Sequence, residues 1–425
     1  MDLTALFPLR WSPMSRRDED IEFQAQVAAW LFDRMNFKQD QIAEHLGIKQ
    51  PDVSRRLKLA EERGWLSRQT FRRGKDISDQ RLEEIENAFY RRLPDLRRSI
   101  DRLSRRRRPV DPPPRVHVVY SGPTATDKAG YHKRQQMFGW NAALYVQELI
   151  PQMHRIGVAW GKTIARLIDG LRPLHPKFAR VTLFFPVSGE PLREHGEENS
   201  ATTLASDLQD FVEGGPHEGP GLNMVIPCIP DRFDEVVTGE IKQILLGQVE
   251  GYRHIFLGEA GHRPLIEEID TLITGVGTAS KSSTDPWLIE RVNAMRKDPP
   301  LTREDFEAYT YGDIGGVYLL RPDLTERIAA RIAKASAAGR TARERNTIVE
   351  AKVRRINAQW TGIQREHVAA CAERARATEK TPGVIVLAIG KAKAEAVIEA
   401  VNQSLVNHLL IDQDLADALV DDLQE

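Results

Sequence analysis

The chain has 425 residues, 41% of them hydrophobic, 28% charged and 7% aromatic, with a formal net charge of −1. That is roughly two to three domains at about 150 residues each, with enough apolar material for packed cores, which excludes a mini-scaffold, wholesale disorder and a fibrous repeat. Two cysteines, Cys228 and Cys371, exclude a disulfide framework and a cysteine-rich metal site, and both are expected to be buried thiols. No apolar run reaches the ~18 residues that span a bilayer, so the expected location is the cytoplasm, with no membrane partner.

The charge is unevenly spread: residues 1–115 carry +6 and residues 116–425 carry −7. A basic front section on an acidic body is the balance of a chain whose first part meets nucleic acid. The excess is densest over residues 91–115, where ten arginines face three acids.

In chain order, an amphipathic run from Ile21 to about Met35 reads as a helix, followed by a short helix over Gln39–Leu46, a turn at Gly47 and a helix from Pro51 to about Arg63. Trp65–Phe71 is expected as a short strand, and Arg72-Arg73-Gly74-Lys75 as a basic turn. From Ser78 to Arg108, apolar Leu82, Ile85, Phe89, Leu93, Leu96, Ile100 and Leu103 form one helical stripe, kinked at Pro94. This stripe is either a dimerisation surface or a face packed on the chain's own body. Pro109-Val110-Asp111-Pro112-Pro113-Pro114 is a stiff linker. The expected domains are therefore 1–75, 76–115 and 116–425.

Beyond the linker, apolar strands alternate with helices, the pattern of a parallel α/β sheet. Strands are expected over Val116–Ser121, Arg155–Ala159, Val181–Val187, Met224–Ile229, His254–Leu257, Thr271–Val276, Gly316–Leu320, Val384–Ile389 and Leu405–Ile411. A helical insert near 321–367, with helices over Leu324–Ala338 and Arg343–Trp360, interrupts the alternation.

The twenty residues Gln39–Lys58 hold what a helix-turn-helix requires. Ala43 lets the two helices approach, Gly47 permits a left-handed turn, and Ile42, Leu46, Ile48, Val53 and Leu57 fill the small core. On the second helix, Lys49, Gln50, Asp52, Ser54, Arg55 and Lys58 face outward. Gln50 and Arg55 suit bidentate contacts to adenine and guanine, whereas Lys49, Ser54 and Lys58 suit phosphates. Lys38 and Lys49 occupy cap positions where Ser or Thr would contribute about 1 kcal/mol.

The run Ile42-Ala43-Glu44-His45-Leu46-Gly47-Ile48-Lys49-Gln50-Pro51-Asp52-Val53-Ser54-Arg55 is joined by four body motifs in order. These are Ile156-Gly157-Val158-Ala159-Trp160-Gly161-Lys162-Thr163, Gly275-Val276-Gly277-Thr278, Gly312-Asp313-Ile314-Gly315-Gly316 and Ala388-Ile389-Gly390-Lys391-Ala392-Lys393-Ala394. Together they resemble the SorC-type sugar-binding transcriptional regulators, also grouped with the DeoR-like fold. Departures are the arginine-rich connector, the insert near 321–367, Arg56 where an apolar residue is usual, and Ile389 where a second glycine is usual.

The resemblance implies an α/β protein: an N-terminal all-α helix-turn-helix domain, a helical linker, and a parallel-sheet effector domain like sugar-phosphate isomerases and deaminases. It implies a sugar or phosphosugar bound at the carboxyl ends of the strands, with Gly161, Lys162, Thr163, Gly189, Gly277, Thr278, Asp313 and Lys393 around it. Lys393 would meet a phosphate and Asp313 sugar hydroxyls. Loops after parallel strands present helix N-termini and free N–H groups to one crevice, which favours anions on physical grounds as well.

Reaction chemistry has little support. Gly157 and Gly161 are separated by three residues where a P-loop needs four, and no His-Glu-x-x-His, Gly-x-Ser-x-Gly or paired-cysteine set occurs. No cofactor, metal or catalytic residue is expected. The partners expected are an operator in double-stranded DNA, a small effector and a second or fourth copy of the chain. The alternatives are a sugar-phosphate isomerase or deaminase with an appended helical module, in which Asp313 or Glu190 is the base, and a front section that binds protein instead of DNA.

Overall fold

The computed structural model describes residues 17–35, 37–67, 70–71, 78–107, 111–125, 127–179, 181–189, 200–214, 222, 229, 233, 235–259, 261–278, 301–321, 326–327, 330, 333, 347–349, 352–353 and 355–424. Two compact units emerge, one of residues 1–96 with 118–120 and one of 97–117 with 121–425.

The first unit begins with α1 (Arg17–Arg34), which buries Ala25, Val27, Ala28, Trp30 and Leu31. Then come α2 (Gln39–Leu46) and α3 (Gln50–Glu62), burying Ile42, Ala43 and Leu46 from one and Val53, Leu57 and Ala60 from the other. Neither has a side-chain cap, as Lys38 and Lys49 foretell, but the Gln41 side chain reaches back to accept from the Lys38 backbone N–H at 2.9 Å. Pro51 sits in the first turn of α3, where its missing N–H costs no helical bond.

After α3 the expected single strand is instead a small antiparallel hairpin, β1 (Leu66–Ser67) with β2 (Thr70–Phe71), in which Leu66 is opposite Phe71 and Ser67 opposite Thr70. The basic turn at Arg72–Lys75 lies outside the described residues. The expected kinked helix is two helices, α4 (Asp79–Phe89) and α5 (Leu93–Arg107). Tyr90 is extended (φ −128°, ψ 100°), and Pro94 falls in the first turn of α5, where proline starts a helix instead of bending one. Ser78 caps α4 by accepting from the Arg81 N–H at 3.1 Å.

The second unit is an α/β arrangement on a sheet with the strand order β3-β10-β9-β6-β4-β5. The strands are β3 (Arg115–Val119), β4 (Arg155–Val158), β5 (Leu183–Pro186), β6 (Thr271–Thr278), β9 (Gly383–Ala388) and β10 (His408–Asp412). The pairs β10–β9, β9–β6, β6–β4 and β4–β5 are parallel. Every residue of β9 and β10 is buried, as their near-continuous apolar runs require of strands covered on both faces. Long α6 (Lys128–Leu149) follows β3, and α7 (Lys162–Leu171) follows β4, burying Ile164, Leu167, Ile168 and Leu171 at helical spacing.

The expected parallel sheet is present, and it carries one element absent from the sequence reading: β7 (Thr310–Ile314), which pairs antiparallel with the end of β6 and with β8 (Val317–Leu320). Two expectations for this unit are corrected. His254–Leu257 is not a strand but lies in the helical turn Arg253–Leu257, where the Tyr252 and Phe256 rings meet one turn apart with centroids at 5.0 Å. The helix expected to reach Trp360 gives way to turns over 355–359. Of the strand expected at Met224–Ile229, all but Ile229 lies outside the described residues, as do Cys228 and most of the insert. Cys371 is a buried free thiol, pushed by burial up to about 12.

Candidate functional site

The first candidate surface is built by α2 and α3. Gly47 closes α2 in the left-handed region (φ 64°, ψ 30°), its N–H bonded to Glu44 O, and the Ile48 N–H returns to Ala43 O at 3.0 Å. A residue with a Cβ is strained there, so glycine sets the angle at which α3 leaves. Lys49, Gln50, Ser54, Arg55 and Lys58 are exposed and Asp52 is half-buried, so all six expected residues lie on or beside the outer face of α3.

Their partners are local. Arg55 is paired with Asp52 at 3.0 Å, and Lys58 stands 4.0 Å from Glu62. Gln39, which sequence reasoning passed over, accepts from both Gln50 Nε2 (3.2 Å) and Ser54 Oγ (2.8 Å) through one oxygen. These exposed bonds are worth little against water and exchange readily for base or phosphate contacts. Arg56 is half-buried and donates to Gln24 Oε1 of α1 at 3.1 Å, so its side chain helps to fix α3 in place.

His45 of α2 is almost fully buried, beside Phe37 and Phe89. Its Nε2 donates to Ala88 O at 3.2 Å. Burial, with the Arg91 charge as a smaller contributor, drops its pKa to about 4. A neutral imidazole therefore ties α2 to the end of α4.

The second candidate site lies at the carboxyl ends of the parallel strands. After β4, Gly161 (φ 131°, ψ 150°) precedes α7, accepting from the Ile164 and Ala165 N–H groups; Lys162 is exposed and Thr163 buried. After β5, Ser188 and Gly189 are buried, and Ser188 Oγ donates to Gly315 O at 3.2 Å. Gly277 and Asp313 are register partners in β6 and β7. The Asp313 carboxylate is turned to the hairpin, where Oδ2 accepts from the Gly316 N–H at 2.8 Å. Thr278 Oγ1 donates to Ala392 O at 2.7 Å, which joins the end of β6 to the turn Lys391–Lys393 that carries half-buried Lys393.

Two features of this end of the sheet escaped the sequence. Arg134 of α6, buried, binds Asp412 Oδ2 (2.6 Å), Asp414 Oδ2 (2.7 Å) and Ser121 Oγ (3.2 Å). The other Asp412 oxygen accepts from the Gly390 N–H at 2.9 Å and the Leu415 N–H at 3.2 Å. Burial raises the Asp412 carboxyl to about 6, against the pull of the Gly390 N–H and Arg134. The cluster anchors the Gly390 turn, which in turn presents Lys391 and Lys393.

The other feature is the return leg of the insert. Trp360 packs edge-on to Trp160 (centroids 5.0 Å, 76°), and the Ile363 N–H extends the pairing at β5 by donating to Val187 O at 2.8 Å. A Cβ on Gly316 (φ 98°) would lie 2.2 Å from the Trp360 ring, so the β7–β8 turn has room for glycine alone.

No catalogued protein family matches the chain. A deoxyribonucleoside regulator of Bacillus subtilis (strain 168) is 27% identical over 168 residues, which is 40% of this chain. The chain spans 44% of the length of that relative. Among solved structures it is similar to the full-length sorbitol operon regulator SorC from Klebsiella pneumoniae, at 16% identity and TM-score 0.48, covering 95% of this chain and 99% of that one. A transcriptional regulator from Streptococcus pneumoniae TIGR4 is 15% identical with TM-score 0.48, covering 79% and 100%. A DeoR family transcriptional regulator from Listeria monocytogenes is 15% identical with TM-score 0.43, covering 72% and 92%.

Among the described residues no group of three or more His, Cys, Asp or Glu side chains is placed to hold a metal ion, and no helix is long and apolar enough to cross a membrane.

Proposed function

We propose that the chain is a DNA-binding transcriptional regulator whose hold on an operator is set by a small effector, a sugar or phosphosugar. The observation that carries this reading is the α2–Gly47–α3 unit, with Lys49, Gln50, Ser54, Arg55 and Lys58 exposed along the second helix. Such a helix fits the major groove, where Arg55 and Gln50 read bases and the lysines and Ser54 hold phosphates. The partial likeness to a deoxyribonucleoside regulator supports the same reading.

In this reading residues 1–75 bind DNA, residues 76–115 link and help to pair copies, and residues 116–425 form the effector domain of a cytoplasmic protein. A homodimer or homotetramer presents two α3 helices to half-sites about one helical turn apart. In this reading the effector is held by Gly161, Lys162, Thr163, Gly189, Gly277, Thr278, Asp313 and Lys393, with Lys393 meeting a phosphate. It acts by favouring one arrangement of the copies over another. The reading is of a sensor instead of an isomerase or deaminase.

The test is a selection from a random DNA pool with the full chain, followed by thermal shift with free and phosphorylated pentoses and hexoses. A ligand at about 100 times its dissociation constant adds about 2.7 kcal/mol of stability. Arg55→Ala is expected to abolish sequence preference while the fold is kept. A pool with no enriched sequence refutes DNA reading, turnover of a stabilising sugar refutes the sensor role, and a panel with no stabilising sugar removes the effector class.

A further inference from the structure

The arginine side of the connector is not absorbed by this reading. In α5, Leu93, Leu96 and Ile100 are buried on one side. On the other, Arg98, Arg102, Arg105 and Arg106 line an open groove of about 740 Å³ together with Leu423 of the helix Gln413–Gln424. The single carboxylate in its wall, Asp101, is held by Arg105 Nε at 2.8 Å, and Asp111 lies 3.9 Å from the same guanidinium. Arg102 and Arg106 are exposed, and among the described residues no ion pair reaches them.

We propose that this face grips the phosphate backbone of duplex DNA, a contact separate from α3 and indifferent to base sequence. The proposal rests on the DNA-binding reading above. Positions 98, 102 and 105–106 fall on successive turns of one helix side, about 6 Å apart along the axis, while each DNA strand offers a phosphate for about every 3.4 Å of its length. Three turns of guanidinium groups therefore run beside several phosphates of one strand. Arginine's planar fork binds phosphate oxygens through two bonds at once. An acidic protein partner fits less well, because protein interfaces are held by buried apolar anchors and Leu103 and Leu423 are the only apolar side chains lining this groove among the described residues. Arg102 and Arg106 stand on this face with no ion pair among the described residues, and a polyanion supplies the countercharge.

The experiment measures binding of the full chain to a fluorescein-labelled random-sequence duplex by anisotropy over a range of salt. Compared are the wild type, Arg102→Gln with Arg106→Gln, and Arg102→Lys with Arg106→Lys. Neutralising two phosphates contributes about 1.8 to the slope of log affinity against log salt, so the glutamine pair is expected to show a slope shallower by about that amount. The loss is equal for every duplex sequence, and the lysine pair keeps the slope as point charges. An unchanged slope in the glutamine pair, with the wild type binding normally, overturns the proposal and leaves the DNA reading standing. A lysine pair that behaves as the glutamine pair refutes charge neutralisation. A wild type that binds no duplex at the lowest salt overturns the DNA reading, and this inference falls with it.

Discussion

Acidification is expected to loosen the helix-turn-helix through His45. The imidazole has a pKa of about 4 in the folded chain, against 6.5 when exposed, because burial denies it water and its hydrogen bond to Ala88 O needs only the neutral ring. The folded state thus resists a proton that the unfolded state accepts. Stability from this group is full above the unfolded value and is lost as pH falls from 6.5 toward about 4. A difference of about 2.5 units corresponds to about 3 kcal/mol in all, of which about 2 kcal/mol is gone at about pH 5. The assay is amide hydrogen exchange of the α2–α3 peptides in the full chain, corrected for intrinsic rates and read at about pH 7.5 and about pH 5. In His45→Gln, whose amide can still donate to the carbonyl, the opening free energy should be nearly level over this range. The same pH slope in wild type and variant would refute the reasoning.

Two further outcomes follow from single positions. Gly47→Val places a β-branched residue at φ 64° and is expected to cost about 1–2 kcal/mol, seen as a lower melting temperature and weaker DNA binding; an unchanged melting curve contradicts it. Arg134→Met leaves Asp412 buried without its cation and is expected to cost about 3–5 kcal/mol, whereas adding Asp412→Asn, which removes the charge and keeps an acceptor for the Gly390 and Leu415 N–H groups, recovers part of that loss. Thermal denaturation of the two variants checks the order, and a double variant less stable than Arg134→Met contradicts it.

The helix-turn-helix was legible because its determinants are local: an alanine at the crossing, a glycine at the turn and apolar residues at helical spacing, all within twenty positions. The buried strands were legible where a run such as Gly383–Ala388 is apolar throughout. His254–Leu257 was misread because a short apolar run fits a strand and a buried helical turn equally, and the deciding contact is Tyr252 with Phe256 one turn back. β7 was hidden by Gly312-Asp313, which reads as a turn, although here Asp313 serves the turn that follows. The Arg134–Asp412 pair joins residues 278 positions apart, and no spacing rule reaches that far. Gln39 carried one usable signal, its place at the first residue of α2 beside the start of α3.

Trp360 makes the insert part of the sheet's own packing. Its indole, with Trp160, Ile363 and Ser188, fills the end of the sheet above β4 and β5 with side chains shut off from solvent. The same ring lies against Gly316 in the turn between β7 and β8, so a change of side chain at position 360 is transmitted to a glycine motif about forty residues away in the chain.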